Sequence, residues 1–295
     1  MKASRLKLLL HAALTTLVVG VSGAAQAIPY AYANINFTEL TLTGLSAPGV
    51  TISGATVTTS SSANFAATTP DAASAGGTLT TGSDVRQSTA GPGPFPGENT
   101  FTPALLAAFG TRGDSSITGN LLTGVPPGAA SIVAEGHLSP SGTAASAAGT
   151  STGFTINLIV TTPTDFTLST IADAVLSATT TDLGDGASAQ VNASFTVTGA
   201  GGFFDIFAPA ELNASTSSSA GSGNGSFISA PTAYSHTVSL TSGIYQFSLL
   251  SGAQERLEIA QPQPVPEPAP LALLGVGLLG MLSLRTRGKK QADSL

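Results

Sequence analysis

The central part of the chain, residues 28–260, alternates between apolar and polar residues with a period of two. In 154–160 every even position is apolar and, apart from Ile159, the odd positions are polar; shorter runs of the same kind occur at 195–197, 238–240 and 245–249. Ser and Thr fill most of the positions between them. This pattern is typical of strands that bury one face and expose the other, so we predict antiparallel β-strands.

Gly and Pro interrupt these runs at short intervals, as at Pro48-Gly49 and Pro126-Pro127-Gly128. Many short strands with Gly-rich turns predict an all-β fold, namely a single antiparallel β-sandwich of jelly-roll type. We expect one domain over residues 28–260, because neither an internal repeat nor a break in composition divides it.

One short helix is predicted within this domain, at residues 102–110. Thr102 is a suitable N-cap, Pro103 fits the first helical position, and Gly110 follows the last turn. These three signals are the ordinary start and stop marks of a helix.

Two further segments carry local predictions. Residues 244–259 are predicted as a hairpin of strands 244–250 and 257–259 with a turn at Ser251-Gly252. The Ser/Thr/Gly-rich stretch 215–226 is predicted as a long loop.

The N-terminus has a different pattern, with a basic start, an apolar stretch at 8–21 and a small-residue triplet that ends in Ala25 and Ala27. This is the layout of a secretory signal peptide over residues 1–27, cleaved after Ala27. We therefore expect an exported protein whose mature chain begins at Ile28.

The C-terminus contains 14 uncharged, mostly apolar residues at 271–284, followed by a basic tail at 285–295. As a helix this run is about 21 Å long, which is short of the roughly 30 Å hydrocarbon core. Together with its Pro-rich approach at 261–270 it predicts a thin transmembrane helix, and the basic residues predict a cytoplasmic tail. A buried helix of the globular domain is the alternative.

The residues in front of this run are Val265, Pro266, Glu267 and Pro268, and those behind it are Arg285, Arg287, Lys289 and Lys290. A Pro-Glu-Pro triplet, an apolar span and a basic cluster in this order resemble the PEP-CTERM protein-sorting signal, which is also catalogued as the ice-binding protein C-terminal motif. The resemblance covers about the last 30 residues.

This resemblance implies a Gram-negative protein that is recognised by an exosortase, a membrane-embedded cysteine peptidase paired with exopolysaccharide production. By the same resemblance, the triplet is the recognition motif and the basic cluster stops transfer. The physical properties of the segment fit, because closely spaced Pro residues keep the backbone stiff and extended in front of the membrane.

Composition narrows the possible functions of the central domain. The chain has no Cys, which excludes disulfides and thiolate metal sites. Between the basic ends it holds three Arg and no Lys, against 14 Asp and Glu. Such an acidic surface repels nucleic acid, so no nucleic-acid binding is expected.

Candidate catalytic residues are few. Gly149-Thr-Ser151-Thr-Gly153 matches the G-x-S-x-G nucleophile motif, but we expect a loop before it rather than the strand that the motif needs. Ser115 follows Gly113-Asp114 as in GDSL-type hydrolases, without their late Asp-x-x-His. His137 lies two residues after Glu135, so the two side chains share a face of a strand. We predict that the protein is not an enzyme.

The best candidate for a metal site is the acidic turn that contains Asp182 and Asp185. Two carboxylates and loop carbonyls are the oxygen donors that Ca²⁺ prefers. A plain turn, in which Asp and Gly serve local hydrogen bonds, is the alternative.

Three hypotheses follow from the sequence. The first is a structural component of the cell surface or exopolysaccharide matrix, active in biofilm or floc formation. The second is a glycan-binding module, with or without Ca²⁺ at Asp182 and Asp185. The third is a secreted hydrolase, for which the sequence provides no convincing catalytic residue.

Overall fold

The computed structural model describes residues 29–66, 68–106, 108–138, 145–180, 185–219 and 223–259. These residues form 14 β-strands and two one-turn 3₁₀ helices, Ala200–Gly202 and Ala210–Leu212. The strands are β1 (Tyr30–Thr43), β2 (Val50–Phe65), β3 (Asp71–Gly77), β4 (Ser83–Asp84), β5 (Ser88–Gly93), β6 (Phe109–Thr118), β7 (Gly128–His137), β8 (Ala145–Val160), β9 (Thr164–Thr179), β10 (Gly186–Gly199), β11 (Phe204–Phe207), β12 (Ser215–Ser219), β13 (Gly225–Leu240) and β14 (Gly243–Glu258).

The strands form two seven-stranded antiparallel sheets. The first sheet has the order β13-β9-β1-β7-β6-β4, with β5 also paired to β6. The second has the order β11-β10-β14-β8-β2-β3, with β12 also paired to β10. The prediction of an all-β fold built from antiparallel sheets is confirmed, and the arrangement is consistent with a sandwich. The assignment to the jelly-roll type stays a prediction.

The inward faces of both sheets supply one apolar core. Strands β8 and β14 show how the alternating pattern produces it, because their odd and even positions point to opposite faces. Phe154, Ile156 and Leu158 of β8 are buried, and so are Tyr245 and Phe247 of β14. A second, small cluster lies on the outward face of the first sheet and contains Tyr30, Tyr32 and Val133.

The predicted helix at 102–110 is wrong. Its described residues are irregular up to Phe109, where β6 begins. In a helix the carbonyl of Thr102 would accept from the amide four residues later, but here it accepts a hydrogen bond from Arg112. The amides of Ala104 and Leu105 donate to the buried carboxylate of Glu135 at 2.8 Å each. Tertiary hydrogen bonds thus replace the helical ones.

The predicted hairpin at 244–259 is also wrong, because β14 runs straight through Ser251-Gly252 and pairs with β8 from Gly243 to Glu258. Gly252 serves close packing and not a turn, since a Cβ there would lie 2.7 Å from the Asn192 side chain. The loop predicted at 215–226 contains β12 and the start of β13, and β12 finds its hydrogen-bond partners in β10.

The signal peptide at 1–27, the Pro-rich segment at 261–270, the transmembrane helix at 271–284 and the tail at 285–295 lie outside the described residues. Within the part of the chain that the structure describes, no helix is long and apolar enough to cross a membrane.

Candidate functional site

Most residues that the sequence predicts as functional lie outside the described ranges. These are the cleavage residues Ala25 and Ala27, the calcium candidate Asp182, the sorting residues Val265, Pro266, Glu267 and Pro268, and the basic residues Arg285, Arg287, Lys289 and Lys290. Their roles stay predictions.

The other calcium candidate, Asp185, directly precedes β10 and is buried. No group of three or more metal-ligating side chains occurs among the residues that the structure describes. Because Asp182 is outside these residues, the calcium site stays a prediction.

The two serine motifs lie within strands. The expected loop before Ser151 is wrong, because β8 begins at Ala145 and continues through the whole G-x-S-x-G motif. The hydroxyl oxygens of Ser151 and Ser60 lie 2.8 Å apart. Ser115 is fully buried and its hydroxyl donates to the carbonyls of Ser60 and Ser151, at 3.0 and 3.2 Å. Both hydroxyls therefore serve strand packing.

A dense polar cluster surrounds Glu135 on the outward face of the first sheet. One carboxylate oxygen accepts hydrogen bonds from the Tyr30 hydroxyl and from the amides of Ala104 and Leu105, each at 2.8 Å. The other oxygen accepts from Nε of Arg112 at 2.8 Å. Arg112 and Glu135 are both completely buried, so this is an ion pair whose remaining donors must also be satisfied.

The remaining donors of Arg112 bind the chain that covers it. Its terminal nitrogens donate to the carbonyls of Thr100 and Thr102 at 2.5 and 2.8 Å. The Tyr32 hydroxyl donates to the carbonyl of Phe101 at 2.5 Å. The Glu135 cluster thus attaches the covering segment, residues 94–106, to the outward face of the sheet.

His137 shares this face with Glu135, as the alternation of a strand requires. Its Nδ1 lies 2.6 Å from the carbonyl oxygen of Leu105 and 2.9 Å from that of Ala108. Carbonyl oxygens only accept, so Nδ1 carries the proton. Burial raises the pKa of Tyr30 well above the ordinary value, so its hydroxyl stays protonated and donates to Glu135. The cluster holds the covering segment and leaves no acid or base exposed for a substrate.

Glu255 is a second buried carboxyl group, placed between the two sheets. The hydroxyl of Thr111, which belongs to the opposite sheet, lies 2.6 Å from one of its oxygens. Burial raises the pKa of Glu255 to about 8, and the hydrogen bond from Thr111 opposes that shift. The group is therefore a neutral acid at pH 7, which explains why it can lie between the sheets although no described cation pairs with it.

A depression of about 390 Å³ lies on the outward face of the second sheet, and the sequence analysis missed it. Its floor is Ala147 and Gly149 of β8. Its walls are Ser62 and Asn64 of β2 on one side and Gln254 and Arg256 of β14 on the other. We call this depression the β8 trough. It forms because small side chains on a central strand lie between longer side chains on both neighbours.

The signal for the β8 trough is visible in the sequence, since Ala or Gly occupies both outward positions, 147 and 149. Because the sequence predicts a loop before Ser151, it does not place these two residues on the face of a strand. Only the pairing of β8 with β2 and β14 shows which longer side chains border the small ones.

Comparison with known proteins adds one match. Residues 264–288 match the family model of the PEP-CTERM protein-sorting motif, and this range contains the Pro-Glu-Pro triplet together with Arg285 and Arg287. No curated protein and no solved structure matches the chain. The chain carries a PEP-CTERM protein-sorting motif, which indicates an exported protein that an exosortase sorts to the cell envelope.

Proposed function

We propose that this protein is a non-catalytic component of the cell surface or exopolysaccharide matrix, delivered there by exosortase processing and contributing to biofilm or floc structure. The sorting motif at 264–288 carries the proposal, because it connects the chain to export and to the envelope. In this proposal, the segment 271–284, which the sequence predicts to be a transmembrane helix, holds the chain until the exosortase acts at the Pro-Glu-Pro triplet.

The central domain supports this role in two ways. Three candidate catalytic groups among the described residues, those of Ser115, Ser151 and Glu135, are used in internal hydrogen bonds. Its two sheets share one apolar core, to which strands from β1 to β14 contribute, and this suits a protein that must persist outside the cell without disulfides.

The glycan-binding hypothesis is the second candidate, and the β8 trough is the observation that favours it. Surface depressions bordered by hydroxyl, amide and guanidinium groups offer the donors and acceptors that sugar hydroxyls need. Calcium participation by Asp182 and Asp185 belongs to this candidate and has no further support.

The proposal is tested by Glu267→Ala in the native host, with intact mass and cell fractionation as readouts. We expect the wild-type protein to begin at Ile28, to end near Pro266 and to occur in the matrix fraction. We expect the variant to stay full-length in the membrane, because the recognition triplet is broken.

Glu211→Ala is the matched control, since it removes an exposed carboxylate from the domain and leaves the triplet intact. It should behave as the wild type. If the wild-type protein is itself intact and membrane-bound, the tail is only an anchor and the matrix role loses its main support.

A further inference from the structure

Gly149, on the floor of the β8 trough, is a glycine that the fold itself does not require. Its φ is not in the left-handed region, and a Cβ there would come no closer than 3.4 Å to another atom, the Ser62 hydroxyl oxygen. Gly153, on the same face of β8, differs, since a Cβ there would lie 2.1 Å from the Leu249 carbonyl oxygen. A glycine in a strand interior weakens the strand and often marks a place where a ligand approaches the backbone closely.

The walls of the trough provide hydrogen-bonding groups at corresponding positions along the two neighbouring strands. Register places Ser62 and Gln254 on either side of Gly149, and Asn64 and Arg256 on either side of Ala147. All four wall residues are exposed. The Ser62 hydroxyl donates to the Gly149 carbonyl at 3.0 Å and the Arg256 guanidinium is paired with Glu258, so Ser62 offers a ligand an acceptor oxygen, and Asn64 and Gln254 offer their amides. The trough therefore presents a hydroxyl, two amides and one guanidinium around an open floor.

The position of the trough within the sheet excludes one kind of occupant. β8 is paired along its length with β14 and β2, so its backbone hydrogen bonds are already used. A peptide that binds by strand addition needs an open sheet edge, which the trough does not offer. The occupant must be bound through side chains, and a polymer rich in hydroxyl groups matches these side chains best.

Charge decides which polymer fits. The domain is acidic, and among the described residues that line the trough Arg256 is the one cation, which forms an ion pair with the exposed Glu258. Asp71 lies at the β3 end, where both of its carboxylate oxygens accept hydrogen bonds from the Arg86 guanidinium, so this end has no unpaired charge either. An acidic polysaccharide would find no free cation in the trough and would be repelled by the acidic domain, whereas a neutral one would not.

We propose that the β8 trough binds a neutral polysaccharide chain. This inference rests on the proposed matrix function and specifies the partner of the domain. No aromatic ring lines the trough within the described residues, so in this proposal hydrogen bonds hold the sugar. In a matrix many copies of the domain bind one polymer, and this multivalency raises the overall affinity.

Affinity electrophoresis of the full chain, purified in detergent, tests the proposal. The native gels contain hydroxyethyl cellulose, dextran or galactomannan as neutral polymers, or alginate as an acidic one. We expect the wild-type chain to be retarded by at least one neutral polymer and not by alginate. Gly149→Leu should reduce the apparent affinity at least ten-fold, because its side chain fills the floor.

Gly97→Leu is the matched control. Gly97 also has open space around it and no left-handed φ, but it lies outside the trough. This variant should bind as the wild type does. Gln254→Ala is a second variant in case Gly149→Leu fails to fold, and it should weaken retardation by removing one wall amide.

Three results would overturn the inference: no retardation of the wild type by any neutral polymer, stronger retardation by alginate, or full retardation of both folded trough variants. Host fractionation separates this failure from failure of the proposed function. A wild-type chain that reaches the matrix fraction but binds none of the neutral polymers contradicts only the trough, whereas a chain that never leaves the membrane contradicts the matrix function.

Discussion

The layer between the two sheets has an apolar half and a polar half, and β8 crosses both. In its C-terminal half the inward residues are large and apolar, from Phe154 to Val160. In its N-terminal half the inward residues are small or carry hydroxyl groups, namely Ser146, Ala148, Thr150 and Thr152. One strand therefore contributes to two kinds of interior.

The apolar half is filled by aromatic rings. Phe247 of β14 is fully buried, with its ring centre 5.1 Å from that of Phe166 in the opposite sheet and 5.7 Å from that of Phe195. Buried aromatic rings contribute a large apolar area to a core. The stability of this half comes from burial.

In the polar half, residues of one sheet reach the backbone of the other directly. The hydroxyl of Ser115 in β6 donates to carbonyl oxygens of β2 and β8. A Cβ on Gly113 would lie 2.8 Å from the carbonyl oxygen of Ser62, and one on Gly136 would lie 2.6 Å from the Glu255 carboxyl carbon. Here hydrogen bonds join the sheets, and glycines without side chains allow the sheets to approach closely. The two halves should therefore respond to different substitutions.

The largest effect is expected in the apolar half, from Phe247→Ala. Removing a fully buried ring leaves a cavity and should lower the free energy of unfolding by about 3–5 kcal/mol. Urea denaturation measures this change. Leu250→Ala on the same strand is the control, since Leu250 is 56% exposed and its loss should be nearly neutral. Similar losses for both variants would show that the ring does not stabilise this half as described.

This comparison also shows what the sequence could predict. The apolar half was found, because alternation at 154–160 and 245–249 is the direct mark of a strand that faces an apolar core. In the polar half the sequence predicts a loop before Ser151 and a turn at Ser251-Gly252, since the Ser, Thr, Ala and Gly residues there carry no hydrophobic period. Those residues are strand residues because β2, β10 and β14 pair with them.

The Glu135 cluster could not be predicted from the sequence either, because it also depends on strand pairing. Alternation placed Glu135 and His137 on one face, as observed. The partners of Glu135, which include Tyr30 and Arg112, lie far from it in sequence and meet it through the pairing of β1, β7 and β6. No local pattern reports such register, and the same long-range bonds removed the helix predicted at 102–110.

A smaller effect is expected in the polar half, from Gly136→Ala. The added methyl group would overlap the Glu255 carboxyl group, and overpacking of this kind costs roughly 1–3 kcal/mol. Gly149→Ala is the matched control, because the same change at an open strand position should be neutral or slightly stabilising. Thermal unfolding of the two variants compares them, and equal midpoints would contradict the close approach of the sheets at Gly136.

The smallest effect, counted per pH unit, is expected from the charge state of Glu255, a carboxyl group that lies between the sheets in the polar half. Its pKa is about 8 in the folded chain against an ordinary value near 4.5, so between these values the folded state binds more protons than the unfolded state. The free energy of unfolding should therefore fall as the pH rises, by about 1 kcal/mol per pH unit, and level off above pH 8. Burial also raises the pKa of Asp114, to about 6, which adds a slope of the same sign at lower pH.

Urea denaturation between pH 6 and pH 8 isolates Glu255, and Glu255→Gln should remove most of the slope because an amide keeps the hydrogen bond from Thr111 and does not ionise. An equal slope in both proteins would mean that Glu255 is ionised between the sheets, and the polar half would then need a cation that the described residues do not supply.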